Sequence, residues 1–363
     1  MGKFMGMTQG ENPYRATITP VPEGEPRPLW SVMIPTFNCA KYLRETLSSV
    51  LGQDPGPALM QIEVVDDHST LDDPAAVVEE LGQGRVGFYR QPENVGHTGN
   101  FETCLKRSRG KLIHLLHGDD YVLEDFYHKL QSAFEQNPET GAAYCRHIIT
   151  DENGHWTRIS PLEKSKSGVL IDALERIQTR HPIQTPSIVV RRDVYEKLGG
   201  FDSRMSTCGE DWEMWVRIAS RYPFWFEAKP LAVYRSHSSS LSGRAMRTGQ
   251  NVRDMFRAVE IVRPYLPETK ADELLYEARK LWAFWGLQCA GKMLTRGDRA
   301  GAIAQIRAVS KCNRSLPVIL SIVRLFLGAV KRRIKLIVRT GLSYSLRQKT
   351  LTLNDRHTEK APK

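Results

Sequence analysis

Two pairs of adjacent aspartates each close an apolar run: Asp66-Asp67 in "QIEVVDDHST" and Asp119-Asp120 in "KLIHLLHGDDYV". Neighbouring carboxylates at the end of a buried strand suit two kinds of chemistry. They hold a divalent cation such as Mg²⁺ or Mn²⁺ together with phosphate oxygens, or they work as acid and base. A solvated Asp-Asp turn accounts for one such pair; two pairs at equivalent strand ends favour a site. A third apolar run, "WSVMIPTFN", ends in Pro35-Thr36-Phe37-Asn38 and brings polar groups to the same kind of position.

The elements that must position these groups alternate. "WSVMIPT" reads as a strand, and "AKYLRETLSSVLGQ" as a helix with Leu43, Leu47 and Val50 at helical spacing. "QIEVVDD" is the next strand, and "PAAVVEELG" a helix opened by Pro and closed by Gly. "RVGFYRQPEN", "GNFETCLKRSRG" and "KLIHLLHGDD" continue as strand, helix and strand. This alternation predicts an α/β fold, a doubly wound and mostly parallel sheet with helices on both faces. Ligands in such sheets sit outside the carboxyl ends of the strands, so the three polar strand ends should converge on one crevice. Later, "GEDWEMWVRIASRYP" opens with acids and places Trp212, Trp215, Val216 and Ala219 on one face, a spacing that reads as core. Beyond about residue 241 the strand signals vanish. Gly297-Asp298 breaks two amphipathic helices into a hairpin, and no repeat array follows from a single copy. The expected organisation is a flexible tail over 1–28, rich in Gly, Pro and charge, an α/β unit over 29–240, a helical region over 241–342, and a polar tail over 343–363.

The chain of 363 residues is 41% hydrophobic and 25% charged, which predicts a core-forming globular protein. Its formal net charge is +10, and such a balance admits nucleic acid, an anionic membrane or a phosphorylated substrate. Much of the excess sits late, in "VKRRIKLIVR", which argues against a nucleic-acid face over the main unit. The six cysteines are widely separated with no CxxC, so a zinc ribbon is excluded and a disulfide framework is not expected. No apolar run suits a signal peptide or reaches the ~18 uninterrupted apolar residues of a membrane span. A cytoplasmic location follows as the expectation.

The stretches "SVMIPTFNCAKYLRETLSSVLGQ", "EVVDDHST", "ENVGHTGNFETCLKRSRGKLIHLLHGDD", "LGGFD" and "GEDWEMWVRIA" occur in an order and at distances that resemble the family 2 glycosyltransferases of GT-A fold. The resemblance covers Trp30 to about Gly243. It implies inverting transfer of a sugar from a nucleotide-sugar donor, with a lean to UDP, to an acceptor hydroxyl. By this resemblance Pro35, Thr36, Phe37 and Asn38 hold the nucleotide base and ribose, with Phe37 stacking on the base. Asp67 accepts a hydrogen bond from the base, and Asn94, Gly96 and Asn100 line the nucleotide pocket. The family's Asp-x-Asp metal motif falls on His117-Gly118-Asp119-Asp120, so Asp119 and Asp120 match and His117 replaces the first acid. An imidazole there favours softer ions than carboxylates alone; an ordinary hydrogen bond from a strand-end histidine is the other reading of His117. The segment "YRSHSSSLS" resembles a stretch near the donor phosphates, where His237 binds phosphate or completes the metal shell, unless it is a loop histidine without a ligand role.

In the family the acceptor hydroxyl is deprotonated by the Asp of a Glu-Asp pair at a helix start, which maps onto Glu210-Asp211. The same two acids would also serve as a plain helix cap. A helix N-terminus lowers a carboxyl pKa, so Asp211 is expected to be a weak base. Two alternatives bound this reading. A GT-A scaffold without activity is suggested by His117, against which Asp119, Asp120 and Asp211 stand. A nucleotidyltransferase would carry a Gly-rich basic loop after the first strand, and "IPTFNCAKYL" has none. Relatives with basic, apolar C-terminal segments build surface polysaccharides on lipid carriers, so "LPVILSIVRLFLGAVKRRIKLIVRTGL" predicts either contact with an anionic membrane at its inner face or packing onto the catalytic unit. The implied acceptor is a saccharide or a lipid-linked molecule.

Overall fold

The computed structural model describes residues 12–328 and Lys331. Its sheet has ten strands, of which eight run in the order β3-β2-β1-β4-β9-β6-β10-β5. Strands β1 (Trp30–Thr36), β2 (Met60–Asp66), β3 (Gly87–Arg90) and β4 (Leu112–Leu115) are parallel, and their connections are α1 (Ala40–Leu51), α2 (Pro74–Gly82) and α3 (Gly96–Arg107). The expected alternation is therefore present. Strand β1 is buried along its whole length because helices cover both faces, which is why it reads as a continuous apolar run. Helix α1 buries Ala40, Leu43, Leu47 and Val50, one stripe at helical spacing.

The second half is mixed. Strand β9 (Ile188–Arg191) lies antiparallel between β4 and β6 (Ala142–Thr150). Strand β10 (Phe224–Arg235) runs parallel to β6 with a register shift around Pro230, a residue that has no N–H for the ladder. The short β5 (Tyr121–Val122) and β8 (Gly168–Leu170) flank β10, and β7 (Trp156–Ile159) flanks β6. Helices α4 (Phe126–Gln136), α5 (Ala173–Arg180), α6 (Arg192–Leu198) and α7 (Glu210–Ala219) complete the unit. Strand β8 and helix α5 fall where the sequence offers no clear period, because both are short.

Helices α8 (Leu241–Thr248), α9 (Gln250–Ile261), α10 (Ala271–Arg296) and α11 (Arg299–Cys312) follow. The expected hairpin is there: Gly297 is left-handed at φ 85° and the Asp298 carboxylate accepts the Gly301 N–H at 2.9 Å. These helices share one hydrophobic cluster with the sheet. Trp212 and Trp215 of α7 are buried in it beside Val252, Leu275 and Trp282. Trp212 meets Trp282 edge to face at 5.7 Å and donates its indole N–H to the Ile177 carbonyl at 2.9 Å. The tryptophans are core, as their spacing implied. Helical backbone resumes over 316–328, where Val318 is buried and Ile322 and Leu325 pack against the same cluster. All six cysteines are free.

One expectation is corrected. Residues 12–28 are not a loose tail. Ile18 lies in the core, and Arg15 donates to Asp202 at 3.1 Å, to Glu213 at 3.0 Å and to the Tyr265 hydroxyl. A lone isoleucine and a lone arginine have no periodicity, so a composition of Gly, Pro and charge concealed them. Residues 1–11 and the polar segment 343–363 lie outside the described residues. Replacing Arg15 by alanine leaves Glu213 with Arg217 and Asp202 with Arg204 as remaining partners. The expected loss is about 2 kcal/mol of stability, read by urea unfolding.

Candidate active site

The carboxyl ends of β1, β2 and β4 meet at one edge. The backbone ladder continues past them: Asp67 N donates to Thr36 O at 2.8 Å, and Gly118 N donates to Pro35 O at 3.0 Å. Thus the three polar strand ends are neighbours, as the pattern implied. Asn38 sits at φ 50°, a conformation that asparagine tolerates. Its side-chain oxygen accepts the N–H groups of Thr70 and Leu71, each at 3.0 Å, which ties the first loop to the second. Phe37 is 39% exposed at this edge, an unusual position for a large apolar ring.

The second strand's two acids differ in role. Asp66 is committed to structure through Ser69 Oγ at 2.5 Å and Arg90 Nε at 2.7 Å. Asp67 accepts the Val95 N–H at 2.7 Å on one carboxylate oxygen, and burial raises its pKa against the pull of the Val95 and Gly96 amides. Asn94 donates to the Asp67 carbonyl at 2.9 Å, and Gly96 takes φ 76° to let the chain enter α3. Asn100 is buried: its amide donates to Val65 O at 2.8 Å and accepts from Gln91 at 3.2 Å, so it braces the end of β2.

At the end of β4, His117, Asp119 and Asp120 place ligand atoms within 4.8 Å of one another. Gly118 allows this. A Cβ there would lie 2.5 Å from Thr36 Oγ1 and 3.1 Å from Cys39 Sγ. Burial and the Asp119 charge push the Asp120 pKa up to about 6. Burial also opposes charge on Asp119, but the His237 ring, at 2.9 Å, and His117 together outweigh it and hold that pKa down. Burial opposes the His117 imidazolium too, yet Asp120, Asp119 and Asp211 together raise its pKa. His117 stacks on Phe101 with ring centroids 5.2 Å apart. Asp120 Oδ1 accepts the Arg235 N–H at 2.8 Å and Asp120 Oδ2 faces His117 Nδ1 at 3.5 Å, while His117 Nε2 is buried without a hydrogen-bond partner. Two adjacent carboxylates and an imidazole with one buried, unpartnered nitrogen form a donor set that fits a divalent cation. His237 reaches this group through Asp119, not by joining the cluster itself.

Glu210 and Asp211 open α7. Gly209 precedes them at φ 98°, and a side chain there would press on Met255. His97, at the start of α3, lies 3.3 Å from Glu210 Oε1. Burial opposes its charge, but Glu210 prevails and raises the His97 pKa. Asp211 Oδ1 accepts the Trp212 N–H at 2.7 Å, and Thr185 Oγ1 approaches Oδ2 at 3.5 Å. Here the structure reverses the sequence expectation. Burial and the neighbouring Glu210 charge push the Asp211 pKa up to about 7. The helix-start amides pull it down, but they are outweighed.

Sequence reasoning overlooked two residues. His97 stands inside "ENVGHTGN", and Arg235 inside "YRSHSSSLS". Arg235 lies over the rings of Tyr42 and Tyr121, at 4.8 and 5.5 Å, donates to the Asp119 carbonyl at 3.1 Å, and pairs with Glu45. Both lie within segments whose motif character was legible; their partners were not.

Residues 31–199 match the sequence pattern of Glycosyl transferase family 2. They form a family 2 glycosyltransferase domain. An uncharacterized protein of Mycobacterium tuberculosis is 28% identical over 67% of this chain and 79% of its own. Among solved structures, Staphylococcus aureus TarS in complex with UDP-GlcNAc superposes with TM-score 0.57 at 16% identity, over 78% of this chain and 90% of that one. The mannosyltransferase PcManGT of Pyrobaculum calidifontis, in complex with GDP-Man and Mn²⁺, gives 0.52 at 17% identity, over 88% and 84%. At such identities the likeness shows the fold, and the fold is GT-A.

In this domain, Gly118→Ala is expected to push the strand end away from Thr36. The cost is about 1–3 kcal/mol by urea unfolding.

Proposed function

We propose that the chain transfers a sugar, with inversion, from a nucleoside-diphosphate sugar to an acceptor hydroxyl, the donor being a UDP-sugar and the acceptor a saccharide or lipid-linked molecule. The observation that carries this reading is Asp211, a carboxylate held at a pKa of about 7 and close enough to His117 for its charge to act on the strand-end cluster. A base is most effective when its pKa lies near the working pH.

In this reading the acceptor oxygen attacks the anomeric carbon on the face opposite the leaving diphosphate. The C–O bond to the acceptor forms as the bond to the diphosphate oxygen breaks, and Asp211 takes the hydroxyl proton. Glu210 acts at second hand: its charge raises the Asp211 pKa, and its bond to His97 fixes its position. Phe37, with Pro35, Thr36 and Asn38, offers a surface for the nucleotide base, and Asp67 keeps one oxygen for it. Asp119 and Asp120, with His117, would hold Mn²⁺ or Mg²⁺. The imidazole favours Mn²⁺, and the Mn²⁺ in the mannosyltransferase complex supports that choice. When bound, such a cation neutralises charge that develops on the departing diphosphate. Arg235 holds the Asp119-Asp120 turn and His237 holds the Asp119 carboxylate.

Calorimetry with a panel of nucleoside diphosphates, with and without Mn²⁺ or Mg²⁺, tests the donor site. UDP binding that needs the cation, and that weakens at least about ten-fold in Asp120→Ala, is expected. Asp211→Asn should keep that binding while transfer slows by roughly 10²–10⁴-fold. An absence of nucleotide binding under every condition would transfer the reading to an inactive scaffold.

The pH profile follows from the same geometry. A base works deprotonated, so kcat/KM should rise through an acid limb near pH 7 and level off above it. Glu210→Gln removes the negative neighbour, lowers the Asp211 pKa and moves the limb to lower pH. A limb unmoved by that substitution would assign it to another group.

A further inference from the structure

Helix 316–328 is apolar on two sides. Its inner side packs Val318, Ile322 and Leu325 onto the core. Its outer side carries Leu316, Ile319, Leu320, Val323, Phe326 and Leu327, which are 46–67% exposed. Their spacing follows one helical stripe. The sector between these two sides carries Ser321 and the exposed Arg324, and a contiguous exposed apolar patch of this kind marks an interaction site.

Charge identifies the occupant. Residues 316–354 contain eight Lys or Arg and no Asp or Glu. Five of the eight, Lys331, Arg332, Arg333, Lys335 and Arg339, come immediately after the helix in sequence. An apolar stripe joined to a run of one sign matches a surface that is apolar inside and negative outside, which is the acyl and headgroup boundary of an anionic bilayer. A second copy of the chain fits less well, since it would bring the same positive run against itself. No described helix is long and apolar enough to cross a membrane.

We infer that the outer face of helix 316–328 docks on an anionic lipid surface, lying in its plane, with the basic run that follows gripping the headgroups. Hydrophobic insertion and electrostatic attraction are both required. Each basic residue near the surface adds an attraction that salt screens.

Vesicle flotation of the full chain tests this without any donor or acceptor, so its outcome is separate from that of the transferase reading. The wild type is expected to float with phosphatidylcholine vesicles containing phosphatidylglycerol at least about ten-fold more than with phosphatidylcholine alone, and to lose that preference in about 0.5 M salt. The combined substitutions Leu320→Glu, Val323→Glu and Phe326→Glu should abolish flotation while circular dichroism and thermal unfolding stay unchanged. Ile171→Glu, at a fully exposed apolar residue elsewhere, should leave flotation intact. The inference is overturned if the wild type ignores anionic vesicles, or if the triple variant floats as well as the wild type. It is also overturned if light scattering finds a dimer that the triple variant dissolves while neither protein floats, or if removing residues 332–363 strengthens flotation, since the face would then belong to a second copy or to the chain's own end. Should the triple variant fail to fold, Lys331→Glu with Arg332→Glu and Arg333→Glu repeats the test through charge alone: undiminished flotation overturns the inference.

Discussion

Negative charges forced together away from water repel one another and lose hydration, and each must be compensated locally or give up its charge. The functional edge of this molecule is organised by that constraint. Asp66 is paired with Arg90, Asp119 with His237 and Glu210 with His97. Asp120 receives a backbone N–H from Arg235 and faces His117 Nδ1 at 3.5 Å. Asp211 has the least compensation, and its pKa rises furthest as a result. The same repulsion raises the pKa of Asp120 beside Asp119 and of Asp211 beside Glu210. The acids of this edge are told apart by which partner each one finds.

Helix α3 connects the two roles. His97 reaches Glu210 from its first turn, and Phe101, one turn later, stacks on His117. Residues four apart on a helix share a face, so a single face of α3 touches both the base end and the cation end of the site. The position of α3 is fixed in turn by Asn100, whose amide holds the end of β2. A residue that the family resemblance assigned to the nucleotide pocket thus also sets the relative placement of the catalytic groups.

The parallel half of the sheet was legible because period is a strong signal: Leu43, Leu47 and Val50 mark α1, and the apolar run from Trp30 marks β1. The polar strand ends were legible for the same reason, since they are the places where those runs stop. What escaped was everything decided by a partner far away in sequence. The pKa of Asp211 depends on burial beneath other elements, which no local rule reports. His97 and Arg235 look like ordinary polar residues until their partners are in place. Arg15 looks like tail until Glu213, almost two hundred positions later, lies beside it. Short elements such as β8 and α5 carry too few residues for a period to emerge.

The Arg15 contacts carry an implication for what counts as one unit of this protein. The recognisable family segment covers 31–199, yet the helix bearing Glu210 and Asp211 starts at residue 210 and is gripped from before residue 30 and from beyond residue 250. The border of the recognisable motif and the border of the packed unit therefore differ. The family segment supplies the strand edge, whereas sequence flanking it on both sides packs against and pairs with the helix that carries Glu210 and Asp211. A substitution in a flank with no motif of its own is thus transmitted through buried ion pairs to the helix that carries these acids.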